Sequence, residues 1–196
     1  MTCIVGIETD EGVVIGADAA SVDVGWLSRH ASENPKVFAN GGFLFGFTTS
    51  WRMGQLLQHK FSPPDHPGRL TDMQYLCTIW VDAVRICLKD GGFATKEKEE
   101  EKGGNFLIGY RGRLYEVLPD YQIGRTANRY EAVGIGYMLA LGALHATAGL
   151  PLSPEMRVQK ALEAAAHHNA GVCPPFLIER QTTSSPPAGS TLPGGH

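Results

Sequence analysis

Three polar residues near the start of the chain have the chemical types that an N-terminal nucleophile needs. Thr2 carries a hydroxyl, Asp18 ends an apolar run, and Lys36 precedes another. Once Met1 is removed, Thr2 has a free α-amine with a pKa of about 7.7–8.0, which can act as the base for its own hydroxyl. A lysine cation beside Thr2 lowers the pKa of both groups, and an aspartate holds that lysine as an ion pair. Together these residues predict nucleophilic attack on an amide carbonyl.

Each residue also has a plain structural explanation. Thr2 is a β-branched residue that suits the start of a strand, Asp18 suits a turn, and a lysine such as Lys36 is commonly exposed. No histidine lies beside a serine in a hydrolase motif such as GxSxG. Single residues therefore leave the function open.

Two predicted β-hairpins must position these side chains. The β-branched runs 3–9 and 13–17 flank the turn letters DEG. The apolar runs 36–39 and 43–49 flank NGG, a strong hairpin signal because glycine and asparagine adopt positive φ at little cost. The first hairpin returns Asp18 towards the start of the chain.

Helices are predicted after each hairpin pair. Ser50 can cap a first helix, Thr71 a second and Ser153 a fourth, whereas residues 137–148 form an apolar, Ala-rich third. The apolar residues of the second helix recur every three or four positions: Met73, Leu76, Trp80, Val84 and Leu88.

Further strands follow the second helix. The charged run 96–104 is predicted as a solvated loop, with a helical extension as the alternative. The runs 105–110 and 113–118 predict a third hairpin, and 174–180 predicts a last edge strand because its prolines lie at the strand entrance.

The order of elements is strands, two helices, strands, two helices and one strand. This grouping predicts an α+β fold with two antiparallel sheets flanked by helices. We expect one domain over residues 1–181 and a disordered tail over 182–196, where Ser, Thr, Pro and Gly dominate.

Composition limits the function classes. The chain has 196 residues, 43% of them hydrophobic, and a net charge of −3, so we expect no nucleic acid and no membrane as partner. The four cysteines form no CxxC pair and are predicted to be buried, reduced thiols. The N-terminus has no basic segment of a signal peptide, which predicts a cytoplasmic protein.

The chain resembles the proteasome β-subunit family of N-terminal nucleophile hydrolases, which includes the bacterial HslV peptidase. Mature members begin with Thr, place an Asp at the end of the second strand and a Lys before the third. Here these are Thr2, Asp18 at the end of GVVIGAD, and Lys36 in KVF. The stretches GFLFGFTTS and AVGIG (132–136) are similar to later parts of the family pattern.

The resemblance implies a four-layer αββα sandwich and a threonine peptidase that needs no cofactor and no metal. It implies catalytic roles for Thr2, Asp18 and Lys36. It also implies a backbone N–H at Thr49 that binds the oxyanion. The substrate pocket would be lined by Ser21, Phe47 and Trp51, whose two aromatic rings predict an apolar or restricted pocket unless they are ordinary core residues.

The resemblance also implies partners. Members assemble into rings or stacks, so we expect a homo-oligomer that acts on a peptide or protein substrate. Some members work with a separate ATP-dependent unfoldase, and because this chain has no P-loop, any such energy source would be another chain.

The chain departs from the family pattern around the Thr2 amine. Ile135 stands where the family has the serine of a Gly-Ser-Gly turn, and the family's Asp-x-x-Ser segment at the end of the last helix has no clean match in HHNAGVCPP. Asn169 and His168 are candidate replacements. These departures keep two alternatives open: a catalytically reduced structural subunit, and an amidase that acts on a small amide.

Overall fold

A computed structural model describes residues 1–23, 28–97 and 100–183. The strands are β1 (Cys3–Thr9), β2 (Gly12–Asp18), β3 (Ala20–Asp23), β4 (Ser28–Ala31), β5 (Val37–Asn40), β6 (Phe43–Phe47), β7 (Thr95–Glu97), β8 (Glu100–Lys102), β9 (Phe106–Tyr110), β10 (Arg113–Val117), β11 (Ile123–Gly124), β12 (Tyr130–Gly134) and β13 (Phe176–Thr182). The helices are α1 (Trp51–His59), α2 (Asp72–Tyr75), a π-helical turn (Leu76–Trp80), α3 (Val81–Asp90), α4 (Tyr137–Ala146) and α5 (Pro154–His168).

Two antiparallel sheets form the centre of the fold. The first has the strand order β12-β1-β2-β13, and the second has the order β11-β10-β9-β6-β5. Ile4 pairs with Ala17 across the first hairpin, so Asp18 comes back beside Cys3. The predicted last strand is at the edge of the first sheet, where it pairs with β2.

Three apolar layers separate four layers of secondary structure. One layer packs α4 and α5 on the first sheet, and a second packs α1, α2 and α3 on the other sheet. The third lies between the sheets and includes Ile4, Ile15, Leu44 and Leu107. The predicted α+β, four-layer αββα fold is confirmed. Because side chains alternate along a strand, Thr2 shares with Ile4 the face of β1 that is directed between the sheets.

Capping residues begin three helices where the sequence predicts. Ser50 accepts a hydrogen bond from the Arg52 N–H, and Ser153 accepts one from the Met156 N–H. Thr71 forms a capping box with Gln74. The helix predicted after Thr71 is interrupted by the π-helical turn, but its apolar stripe faces the core as expected, except for the exposed Met73.

The prediction for the charged run was wrong. β7 and β8 form a small antiparallel hairpin rather than a loop or a helical extension. A second small hairpin, β3 with β4, precedes Lys36 in the chain. Strand pairing satisfies the backbone of the charged β7–β8 segment, whose Lys and Glu residues give no hydrophobic periodicity to reveal it.

One cysteine and the last strand differ from their predictions. Cys77 is exposed, against prediction, whereas Cys3, Cys87 and Cys173 are buried and free. β13 continues to Thr182, one residue past the predicted domain boundary, and residues 184–196 of the predicted tail lie outside the described residues. The extent of the single domain stays a prediction.

A buried carboxylate lies towards the end of β1 that is remote from Thr2. The Glu8 side chain is 1% exposed and accepts hydrogen bonds from Arg113 at 2.7 Å and Arg125 at 2.8 Å. The Leu114 N–H donates to its other oxygen at 3.0 Å. This cluster ties β1 of the first sheet to β10 of the second.

None of the helices in the described ranges is long and apolar enough to cross a membrane.

Candidate active site

The three side chains predicted to carry the chemistry meet at one end of the two sheets. Thr2, Asp18 and Lys36 are each 4% exposed or less. The Lys36 ammonium donates a short hydrogen bond to Thr2 Oγ1. It also donates to Asp18 Oδ1 at 3.1 Å and to the carbonyl oxygen of Ala20 at 2.7 Å. All three N–H donors of the lysine therefore have acceptors.

Backbone groups hold Asp18 in place. The Cys3 N–H donates to its Oδ1 at 2.9 Å, and the Ala20 N–H donates to its Oδ2 at 2.8 Å. The Cys173 N–H, from the segment before β13, approaches the same oxygen at 3.4 Å. These donors fix the carboxylate, and the carboxylate fixes Lys36, so the hydroxyl of Thr2 faces an oriented cation.

Lys36 comes from the second sheet, whereas Thr2 and Asp18 come from the first. Its carbonyl oxygen accepts from the Phe47 N–H at 3.0 Å, which joins the start of β5 to the end of β6. The site therefore exists only when the two sheets are packed together.

Burial sets the electrostatics of the site. Loss of water lowers the pKa of the Lys36 ammonium, and the negative charge of Asp18 only partly offsets this effect. Burial and the Asp18 charge together raise the pKa of the Cys3 thiol to about 12. The neighbouring thiol therefore stays neutral, and the lysine holds its proton less tightly than an exposed lysine does.

Thr49 provides a candidate backbone donor for an oxyanion. Its φ of 71° lies in the left-handed region, which explains why a glycine would suit this position. The Asn105 N–H donates to Thr49 Oγ1 at 3.2 Å and helps to hold the turn. The Thr49 N–H itself donates to the hydroxyl of Thr48, which an incoming oxyanion would have to replace.

Gly134 allows the close approach of β12 to the start of β1. It has a φ of 94°, and a Cβ at this position would lie 2.3 Å from the carbonyl oxygen of Thr2. An alanine here must move either the backbone of Thr2 or its own strand.

We therefore expect Gly134→Ala to lower the reactivity of the Thr2 hydroxyl towards an electrophile by about tenfold or more. It should also lower the free energy of unfolding by about 1–3 kcal/mol, because positive φ and overpacking are both costly. Adduct formation followed by intact mass, together with urea unfolding, measures the two effects. Gly142→Ala is the matched control, since a Cβ at Gly142 meets nothing within 4 Å. An unchanged rate of adduct formation in Gly134→Ala would contradict the geometry.

The turn that lacks the expected serine is approached by the side-chain amide of Asn169, at the end of α5. The side chain of Ile135 is 49% exposed, but its carbonyl oxygen lies 3.4 Å from Asn169 Nδ2. The Gly171 N–H donates to Asn169 Oδ1 at 2.9 Å, and Met1 packs beside Gly171. Asn169 thus lies in the neighbourhood of the N-terminus, whereas the exposed His168 packs edge-on against His167.

A pocket of about 130 Å³ opens beside Thr2. Its lining includes the predicted pocket residues Ser21, Phe47 and Trp51, together with Lys36 and Thr49. Phe47 is largely core, since it is 3% exposed and its ring meets that of Trp51 edge-on at 5.6 Å. The structure brings these residues together, and their roles in substrate binding stay predictions. Among the described residues, no group of three or more His, Cys, Asp or Glu side chains could hold a metal ion.

Sequence reasoning missed the backbone donors to Asp18 and the position of Asn169. Cys173 is far from Asp18 along the chain, and an N–H group leaves no mark in the sequence. Asn169 is a candidate from the sequence, but only the packing of α5 on the first sheet places its amide near Ile135.

Solved structures share this fold over nearly the whole chain. BPH from Thiobacillus denitrificans has a TM-score of 0.78 at 20% identity, covering 93% of this chain and 99% of that chain. HslV from Trypanosoma brucei has a TM-score of 0.65 at 17% identity, covering 92% and 99%. Anbu, an ancestral beta-subunit from Yersinia bercovieri, has a TM-score of 0.64 at 14% identity, covering 92% and 82%.

The chain therefore has the fold shared by BPH, HslV and Anbu, and the predicted resemblance to HslV is confirmed at the level of the fold. The same BPH has also been solved in complex with epoxomicin. No protein-family model matches the chain, and no curated protein sequence matches it.

Proposed function

We propose that the protein is an N-terminal threonine amide hydrolase, a proteasome-like peptidase whose nucleophile is Thr2 after removal of Met1. One observation carries the proposal: the buried Lys36 ammonium donates to Thr2 Oγ1 while Asp18 and the Ala20 carbonyl hold it. Asp18 and the Ala20 carbonyl take two of the three N–H groups of the ammonium, so the third is directed at the threonine hydroxyl, where a cation lowers the hydroxyl pKa. The likeness of the fold to HslV adds support.

In this mechanism Thr2 Oγ attacks the carbonyl carbon of an amide. Its proton passes to the free α-amine of Thr2, and Lys36 stabilises the negative charge that develops on the hydroxyl oxygen. The Thr49 N–H donates to the oxyanion. The amine then gives its proton to the leaving nitrogen, the C–N bond breaks, and water hydrolyses the remaining ester on Thr2.

Two alternatives have observations of their own. A structural subunit with reduced activity is favoured by the exposed Ile135 at the turn and by the Thr49 N–H that already has an acceptor. An amidase for a small amide is favoured by the modest volume of the pocket beside Thr2, about 130 Å³.

Epoxomicin distinguishes these functions, since an epoxyketone reacts with a hydroxyl and the free amine on the same residue. We expect one adduct per chain on Thr2 in protein that has lost Met1. Thr2→Ala should form none, whereas Thr2→Ser should still form it. Hydrolysis of a fluorogenic peptide by the same preparation separates a peptidase from a small-amide amidase. An active preparation that retains Met1 would overturn the proposed role of the amine.

Assembly and location remain predictions from the resemblance. Ile135, Tyr137 and Met138 are 49%, 42% and 71% exposed beside the site, an apolar surface that another copy of the chain could cover. This supports the predicted homo-oligomeric ring or stack. A separate ATP-dependent unfoldase and a cytoplasmic location stay predictions.

A further inference from the structure

A second and larger pocket also adjoins Trp51. Its volume is about 360 Å³, which is within the range of pockets that bind small ligands. We call it the outer pocket; its lining residues are Asn34, Pro35, Phe47, Trp51, Arg52, Gly54, Gln55, Leu56, Gln58, His59 and Lys60. Phe47 and Trp51 also line the pocket beside Thr2, so the two pockets share one aromatic wall.

The outer pocket has a mixed apolar and polar lining, and its charged side chains are all of one sign. Arg52 and Lys60 bring positive charge, the amides and the His59 ring add further polar groups, and none of the lining residues is Asp or Glu. Within the described residues neither Arg52 nor Lys60 forms an ion pair. Arg52 instead donates to the carbonyl oxygen of Gly91 at 3.1 Å. The charge of Asp90 affects the pKa of the Cys87 thiol, as do the charges of Arg52 and Lys60, so Asp90 lies in the same region. It does not line the pocket.

The carbonyl groups at the end of α1 already have donors. The oxygen of Leu56 accepts from the Lys60 N–H at 3.0 Å and from the Phe61 N–H at 2.8 Å. The oxygen of Leu57 accepts from Asn40 Nδ2 at 2.8 Å. The negative end of the helix is therefore partly neutralised, and the cations near it remain available to an outside anion.

The outer pocket is within reach of a peptide held at Thr2. Lys36 Nζ, which donates to Thr2 Oγ1, lies 5.7 Å from the centre of the Trp51 ring, and the outer pocket begins at that ring. We propose that the outer pocket binds a carboxylate-bearing side chain, Asp or Glu, of a peptide on the acyl side of the bond that Thr2 attacks. This inference rests on the proposed function. Phe47 and Trp51 by themselves predict a purely apolar substrate pocket, and the inference changes that prediction to a pocket that also accepts a carboxylate.

Binding of matched peptides tests the proposal without requiring turnover. Dye-labelled hexapeptides differ only by Glu or Gln at each of the three acyl-side positions, and fluorescence anisotropy measures their binding to Thr2→Ala. We expect the Glu peptide to bind about fivefold to tenfold more tightly at one position in low salt. Because the cations are exposed, this preference should fall to about twofold or less at 0.5 M salt.

Charge reversal assigns the preference to the outer pocket. Lys60→Glu should remove it, and Lys160→Glu on the exposed side of α5 is the matched control that should keep it. Equal binding of Glu and Gln peptides, no binding of either, or a preference that survives both Lys60→Glu and Arg52→Glu would overturn the inference. A preference for Glu in a protein that never forms a Thr2 adduct would instead support the pocket and overturn the proposed function alone.

Discussion

Replacing Lys36 by methionine should slow the modification of Thr2 by epoxomicin by about 100-fold or more. Methionine keeps the length of the side chain but removes the cation that donates to Thr2 Oγ1. Without that cation the hydroxyl has a higher pKa, and the negative charge that develops on its oxygen has no partner in a buried site. Positioned proton donors and acceptors commonly contribute 10²–10⁴-fold to a rate.

Stability must be separated from chemistry in this experiment. Lys36→Met leaves Asp18 as a buried carboxylate with only backbone donors, which should cost about 3 kcal/mol of the free energy of unfolding. The double variant Asp18→Asn with Lys36→Met removes both charges and should recover much of this loss. It should not recover the reaction with epoxomicin.

Two measurements give the result, namely the adduct rate by intact mass and the unfolding free energy in urea, both at pH 7.5. Lys160→Met, an exposed substitution on α5, should change neither. If the double variant regains both stability and reactivity, Lys36 only balances the charge of Asp18, and the proposed mechanism loses its main support.

The fold could be predicted from the sequence because its largest elements carry strong local signals. The first hairpin has β-branched runs around a short turn. The short turn and the burial of both strands fix the register of the hairpin. Ser50, Thr71 and Ser153 mark helix starts by side-chain hydrogen bonds that are local in the chain. The β7–β8 hairpin could not be predicted in this way, since Glu and Lys residues give no apolar periodicity.

The candidate site was predictable in its residue types and less so in its geometry. Thr2, Asp18 and Lys36 stand out by their positions along the first two hairpins. The contacts that hold them depend on long-range packing, as when the Cys173 N–H reaches Asp18 or when Gly134 admits the backbone of Thr2. The outer pocket is likewise formed by three separate segments, the bend at Asn34, the end of β6 at Phe47, and α1 with the residue that follows it, which no local pattern connects.

Glu8 is a second buried charge whose removal should have a large effect, this time on stability alone. Its carboxylate accepts from Arg113, Arg125 and the Leu114 N–H. Burial alone would raise its pKa, but these hydrogen bonds outweigh that effect and hold the pKa below the ordinary value of 4.5. Glu8→Gln keeps the shape and removes the charge, so we expect it to lower the free energy of unfolding by about 3 kcal/mol at pH 7.

The pH dependence of this loss follows from the direction of the pKa shift. A carboxylate with a lowered pKa in the folded state stabilises the protein above its unfolded pKa, and the contribution disappears as the pH falls through the folded value. The difference between the native chain and Glu8→Gln should therefore be constant above about pH 5.5 and shrink as the pH falls below 4.5. Urea unfolding at pH 7, 5.5, 4.5 and 3.5 measures it, with the exposed Glu163→Gln as the matched control that changes stability by less than about 0.5 kcal/mol. A difference that grows towards acid pH would mean that Glu8 is protonated in the folded protein, and the arginine cluster would then not be what joins β1 to β10.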